Sequence, residues 1–176
     1  MGEATGAAAI FGTTGGVMEA ALRTAQDKLT GKDLEKIDFK QVRGGNGIKR
    51  ATVNIAGKDI NIVAASGLKN ARTILEEIKS GTANYQFVEI MACPGGCVMG
   101  GGQPIKNSKT RLDVDVRKSR ADALYSIDEK SKIRKSHENP TLKKIYEEYL
   151  AEPGSYRAEK LLHTSYKKRE KYKEIK

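Results

Sequence analysis

The apolar positions of this chain fall into two textures that change near residue 105. Ala7-Ala8-Ala9-Ile10-Phe11 is a short apolar run feeding Gly12-Thr13-Thr14-Gly15-Gly16, and it predicts a buried strand entering a glycine turn. Met18, Ala21, Leu22, Ala25 and Leu29 then recur on one face of a 3.6-residue period, which predicts a helix stopped by Gly31. Residues 37–42 suggest a further strand. Ala51-Thr52-Val53-Asn54-Ile55 and Ile60-Asn61-Ile62-Val63 flank Ala56-Gly57-Lys58-Asp59 and predict a hairpin. A second helix is expected from Leu68 through Ala71, Leu75 and Ile78 to Gly81, and Phe87-Val88-Glu89-Ile90-Met91 reads as a strand that runs straight into Cys93.

Beyond residue 105 the pattern predicts three polar helices, near 117–130, 140–151 and 156–163. The middle one is the best marked. Asn139 can cap it, Pro140 suits its first turn, and Leu142, Ile145, Tyr146, Tyr149 and Leu150 form its apolar stripe. Lys167 to Lys176 is a charged, frayed end. The expected architecture is an α/β layer over residues 1–104 followed by a basic helical arm over 105–176, without internal repeats.

Composition agrees with an arm that needs a surface to lie on. Only 38% of the 176 residues are apolar and the mean hydropathy is -0.56, low for a self-sufficient globule. No apolar run is long enough to span a membrane. The first residues lack the basic and apolar regions of a signal peptide, so the cytosol is the expected compartment. Net charge is +10, unevenly placed: residues 1–104 carry 12 basic and 10 acidic residues, residues 105–176 carry 20 and 12. In the second part the two signs interleave along helices, a pattern of solvated, salt-bridged faces rather than of a nucleic-acid stripe. Tyr146 and Tyr149 sit at helical core spacing and build no stacking platform for bases.

The chemistry concentrates at Met91-Ala92-Cys93-Pro94-Gly95-Gly96-Cys97-Val98-Met99-Gly100-Gly101-Gly102-Gln103-Pro104. Two cysteines in a cytosolic chain are not a disulfide framework, which leaves metal or redox chemistry or an inert buried pair. Five glycines in eight consecutive positions let backbone approach a ligand closely, as an iron–sulfur cluster requires of the N–H groups around its sulfides. Zinc would need two more ligands, and the histidines, His137 and His163, lie far along the chain at no matching spacing. Two thiolates are half of the four that a [4Fe–4S] cluster uses. The turn at residues 12–16 reads equally as a tight strand-to-helix connection or as an anion site at a helix start. It is not a Walker A loop, since no Gly-Lys-Ser/Thr follows.

Taken together these segments resemble the catalytic domain of the [FeFe]-hydrogenases. Phe87 to Cys97, followed by Gly100-Gly101-Gly102-Gln103-Pro104, is similar to that family's last cysteine motif. Residues 10–23 resemble the segment preceding it, and Arg134 to Pro140 with Leu161-Leu162-His163-Thr164 resemble the helical C-terminal end. The resemblance covers almost the whole chain in the family's order. It implies the C-terminal half of the iron hydrogenase catalytic fold: a small, mostly parallel sheet with flanking helices and a hairpin, then a small-subunit-like arm.

The family's active site is a [4Fe–4S] cluster joined through a cysteine sulfur to a two-iron subcluster with CO, cyanide and a dithiolate bridge, together the H-cluster. By resemblance Cys93 and Cys97 would ligate the cubane and Cys97 would be the bridging thiolate. Met91 would lie against the two-iron unit, and Phe11 and Gly12 would line its pocket. His137 would be structural. The basic end would be a solvated terminus or a docking aid for an acidic ferredoxin.

The departure from the family is equally informative. Its two earlier motifs, Thr-Ser-Cys-Cys-Pro and Met-Pro-Cys-x-x-Lys, are absent, and with them the other cubane ligands, a proton-relaying cysteine and a cyanide-holding lysine. The expected partners are therefore a polypeptide carrying the N-terminal half with accessory iron–sulfur clusters, and ferredoxin or a similar electron carrier. Met1 is compatible with a separate subunit, a fragment or one piece of a divided enzyme. The expected reaction is reversible reduction of protons to H2. The rivals are a hydrogenase-like iron–sulfur assembly factor without hydrogenase activity, and an interaction module with inert cysteines.

Overall fold

The computed structural model describes residues 2–32, 38–43 and 47–168. These divide into two compact units, one of residues Gly2–Asn139 and one beginning at Pro140.

The first unit opens with a correction. The run expected as a strand is a short helix, α1 (Gly6–Ile10), whose N-terminus is capped by Thr5: the hydroxyl accepts from the Ala8 amide at 3.2 Å. Alanine is the strongest helix former, and a five-residue apolar run has no periodicity to distinguish strand from buried helix. Ala7 and Ile10 are fully buried.

Helix α2 (Gly16–Thr30) ends, as expected, where Gly31 turns left-handed at φ 66°. Its buried face is not the expected one throughout. Met18 and Leu22 enter a core with Val42, Val53, Ile55 and Ile62, but Leu29 is 67% exposed while Glu19 and Arg23 are fully buried.

Those two charges belong to a closed ionic network. Arg23 donates to both carboxylate oxygens of Asp128 at 2.8 Å and to Glu19 at 2.8 Å. Arg43 also donates to Glu19, at 2.6 and 2.7 Å, and Arg134 bridges Asp38 and Asp128 at 2.8 and 2.7 Å. Buried charges persist only when paired and hydrogen-bonded. The segment expected as a strand at 37–42 is described from Asp38 onward, where Lys40–Val42 forms one 3-10 turn that presents Val42 to the core.

Strands β1 (Ile48–Ile55) and β2 (Lys58–Ser66) form the expected hairpin, with Ile55 opposite Lys58. Its two turn residues, Ala56 and Gly57, have φ 51° and 81°, the two positive values of a type I′ turn. Strand β3 (Phe87–Met91) pairs with β2 in parallel, Ser66 opposite Met91, after a crossover through α3 (Leu68–Ser80). The sheet order is β1-β2-β3. Among the described residues parallel pairing is thus confined to β2 and β3, because Gly6–Ile10 is helical and adds no strand. The central strand is covered on both faces, by Met18 and Leu22 of α2 against Ile62 and by Ile74 of α3 against Val63 and Ala65. Both parallel strands end at their C-terminal edge on the cysteine turn.

After that turn come a short helix, α4 (Ser108–Asp113), and then α5 (Val116–Lys130), capped by Asp115, whose side chain accepts from the Lys118 amide at 2.9 Å. Helix α5 packs on α1 so closely that a Cβ on Gly6 would meet Asp128.

In the second unit, α6 (Pro140–Ile145) runs into a single π-helical turn, Tyr146–Leu150, and α7 (Tyr156–Leu162) follows. Ser155 caps α7 by accepting from the Ala158 amide at 3.2 Å and donates to the Leu150 carbonyl at 2.7 Å. Most of the charged end expected to fray, residues 169–176, lies outside the described residues.

Candidate functional site

The cysteine turn is shaped by its own main chain. Gly96 donates to the Cys93 carbonyl at 2.9 Å, Met99 to the Gly96 carbonyl at 3.0 Å and Gly100 to the Cys97 carbonyl at 2.9 Å. Cys93 is half-buried, Cys97 exposed, and both are free thiols. Two contacts seat the turn on the sheet edge. Gly67, just past β2, donates to the Met91 carbonyl at 2.8 Å, and the Gly95 amide donates to the Ser66 hydroxyl at 3.2 Å. Met91 thereby sits at the very end of β3, half-buried, where the strand releases the chain into the turn.

The loop carrying Phe11 and Gly12 is bonded directly to this turn. The Val98 amide donates to the Gly12 carbonyl at 3.0 Å, and the Thr14 amide donates to the Gly95 carbonyl at 3.2 Å. Gly96 lies at the crossing. Its φ is +98°, and a Cβ there would come within 2.7 Å of both the Gly12 carbonyl oxygen and the Thr14 nitrogen, so only glycine fits. Phe11 is 44% exposed beside this junction. The structure therefore joins the segments of all five expected site residues: Phe11 and Gly12 on one loop, Met91, Cys93 and Cys97 on the other.

Glu89 fastens the same two segments from below and was not singled out in the sequence. One carboxylate oxygen accepts from the Gly15 amide at 2.5 Å, the other from the Met18 amide at 2.7 Å. Burial pushes the Glu89 carboxyl up from its ordinary value, against the opposing pull of these two main-chain bonds. The positive end of α2 is thus occupied by the chain's own carboxylate, and the turn at residues 12–16 is a tight connection locked by Glu89 rather than a free anion site. The available sequence signal was a lone acid inside the apolar strand Phe-Val-Glu-Ile-Met, a residue that must find a partner when buried. His137 is engaged elsewhere, its Nδ1 3.1 Å from the Thr24 hydroxyl and its Nε2 3.3 Å from Asp27, as suits a structural residue.

The donor set fits half of an iron–sulfur site. Two soft thiols lie on one turn, four residues apart, and soft sulfur donors suit iron–sulfur clusters. With two cysteines in the sequence, the remaining ligands of a four-thiolate cluster would come from another polypeptide segment.

Comparison with known proteins agrees with this arrangement. The model of the iron only hydrogenase large subunit, C-terminal domain, matches residues 1–101, and that of the iron hydrogenase small subunit matches residues 114–169. The chain belongs to the iron-only hydrogenase family. It is 52% identical to iron hydrogenase 1 of Clostridium pasteurianum over 171 residues, 96% of this chain and 29% of that protein. A solved structure of a variant of [FeFe]-hydrogenase HydA1 from Chlamydomonas reinhardtii superposes with a TM-score of 0.68 at 39% identity, covering 89% of this chain and 45% of the other. At lower identity, 30% over 159 residues, the chain is similar to cytosolic iron-sulfur assembly component 3 of Bos taurus, covering 88% of this chain and 31% of that protein. The chain thus spans under a third of the length of these two curated relatives. Among the described residues no helix is long and apolar enough to cross a membrane.

Proposed function

We propose that this chain supplies the C-terminal half of an [FeFe]-hydrogenase catalytic centre. It would catalyse 2H+ + 2e− ⇌ H2 together with a polypeptide that carries the N-terminal half and accessory clusters, in the cytosol, with electrons from ferredoxin or a similar carrier. The observation that carries this reading is the pair of main-chain bonds, Val98 to Gly12 and Thr14 to Gly95, that makes one site of two segments about 80 residues apart. The division into a pocket-bearing part at 1–104 and a helical, small-subunit-like arm at 105–176 belongs to the same proposal.

When bound, the H-cluster would supply the iron coordination at which protons are reduced, with the electrons delivered to it from the carrier. The roles proposed for the chain's own residues are those that the family resemblance implies. Cys93 and Cys97, both free cysteines, would hold the cubane, and by the family resemblance Cys97 would also be the link to the two-iron unit. Met91 would present a soft, polarisable side chain to that unit. Phe11 would contribute an apolar ring that helps exclude water, and Gly12 would line the pocket with backbone, its missing side chain leaving room for Leu124 of α5. Ser66 and Glu89 hold the backbone of both loops, which would orient the two cysteines for the cofactor.

The test is to assemble the chain with a polypeptide carrying the two missing cysteine motifs, mature the complex, and record infrared spectra, iron content and hydrogen evolution. Bands of metal-bound CO and cyanide with turnover are expected. A complex with iron and sulfide but without those bands or any hydrogen favours the second reading, an assembly factor lacking hydrogenase activity. The similarity to the bovine assembly component is what supports that alternative.

A further inference from the structure

Neither of the two loops of the site is held by the sheet alone, because α5 grips each of them. Arg120 reaches the cysteine turn. Its Nη1 donates to the Val98 carbonyl at 2.7 Å and lies 3.9 Å from the Met99 sulfur, and its Nη2 donates to the Pro104 carbonyl at 2.6 Å. A guanidinium spanning two carbonyls makes charge-assisted bonds in a fixed fork, which a neutral donor does not reproduce. The residue it holds, Val98, follows Cys97 and is the one bonded to Gly12.

About one turn further along α5, Leu124 and Tyr125 meet the other loop. A Cβ on Gly12 would lie 2.7 Å from a methyl of Leu124, so the helix is packed directly against the glycine backbone. The Tyr125 hydroxyl is 3.2 Å from the Thr13 hydroxyl. Thr13 sends its own proton to the Ile10 carbonyl at 2.9 Å, so the tyrosine is the donor in that contact. Burial pushes the Tyr125 hydroxyl up to about 12, which keeps that proton in place across the working range. The ring is itself fixed, since the Arg43 guanidinium stacks 4.3 Å from its centre while bonded to Glu19.

We infer that Arg120 and Tyr125 are positioning residues of the cofactor pocket, through which α5 sets the spacing between the Gly12 loop and the Cys97 turn. The inference rests on the reading of this site as a hydrogenase half-site. It also gives α5, which lies within the stretch matched by the small-subunit model, a role in shaping a pocket whose residues lie within the match at 1–101.

The experiment uses the assembled, matured complex with Tyr125→Phe, Arg120→Lys and Arg120→Leu. Tyr125→Phe keeps the ring and its stacking partner and removes only the Thr13 bond; Arg120→Lys keeps the charge and loses the fork. The readouts are CO and cyanide band positions, iron content, thermal midpoint and amide hydrogen exchange at Val98. Parental iron content, displaced bands and faster Val98 exchange are expected in Tyr125→Phe and Arg120→Lys, with a larger displacement in Arg120→Leu. Parental bands and parental Val98 exchange, with only a lowered midpoint, overturn the inference. If Arg120→Leu does not fold, the other two variants decide. A parent without CO and cyanide bands would remove the hydrogenase reading, whereas Val98 exchange would still test whether α5 holds the two loops together.

Discussion

The Val98 amide donates to the Gly12 carbonyl at 3.0 Å, so the residue after Cys97 is bonded to the residue after Phe11. This contact is made where Gly96 crosses the Gly12 loop, and it depends on the absence of a side chain there. Gly96→Ala would place a methyl group against the Gly12 carbonyl oxygen and the Thr14 nitrogen, and would do so at φ +98°. The positive φ alone costs about 1–3 kcal/mol. The expected outcome is a complex that folds with a lowered thermal midpoint and retains less iron than the parent; parental iron content and midpoint would refute the crossing as described.

Glu89 predicts a second effect. In Glu89→Gln one oxygen still accepts, but the amide group meets a second N–H donor at the end of α2. One buried amide is left unpaired, at a cost of about 1–3 kcal/mol. Urea unfolding of the complex should show that loss, and Glu89→Ala should lose more. An unchanged midpoint in both variants would mean that the carboxylate does not bind α2.

The ionic network sets the acid limit of stability. Burial alone would push the Asp128 carboxyl up, yet hydrogen bonds from Arg23 and Arg134 outweigh it and hold it below the ordinary value. Asp38 is held down in the same way by Arg134 and Arg43. A carboxyl lowered on folding stabilises fully above its unfolded value, about 3.9, and that contribution is lost as pH falls toward the folded value. These two groups should therefore contribute no decline in thermal midpoint above about pH 5 and a progressive one below it. Asp128→Asn should cost about 3–5 kcal/mol near neutral pH, because Arg23 keeps a buried charge without its main partner.

The two cysteines should not be equivalent. Replacement by serine keeps size and offers a harder oxygen ligand. At Cys93 the change falls on one cubane iron; at Cys97 it also falls on the link to the two-iron unit, so hydrogen evolution should drop furthest there. Comparing iron content, infrared bands and turnover in the two complexes checks this. A fully active Cys97→Ser beside a dead Cys93→Ser would reverse the assignment of the bridge.

Met91→Leu should leave iron content and infrared bands in place while altering turnover, since a side chain beside the metal unit tunes it without building it. Loss of all iron would make Met91 a folding residue instead.

What the sequence determined by itself is what short-range chemistry encodes. Helices α2 and α3 stop at Gly31 and Gly81, the hairpin turns at Ala56-Gly57, and Pro140 opens α6, because periodicity, turn geometry and capping act within a few residues. The cysteine turn was legible for the same reason, its thiols and glycines being contiguous. Only the tertiary structure decided the rest. Residues 6–10 form a helix packed against α5, where Gly6 meets Asp128, a choice their apolar run leaves open. Glu19 and Arg23 went inside because Arg43 and Asp128 meet them there, Asp128 from 105 residues beyond Arg23. Glu89 reached Gly15 across 74 residues, and Val98 reached Gly12 across the whole sheet. Such pairings leave no periodic trace, because each partner's position is set by packing between elements and not by its own neighbours in the chain.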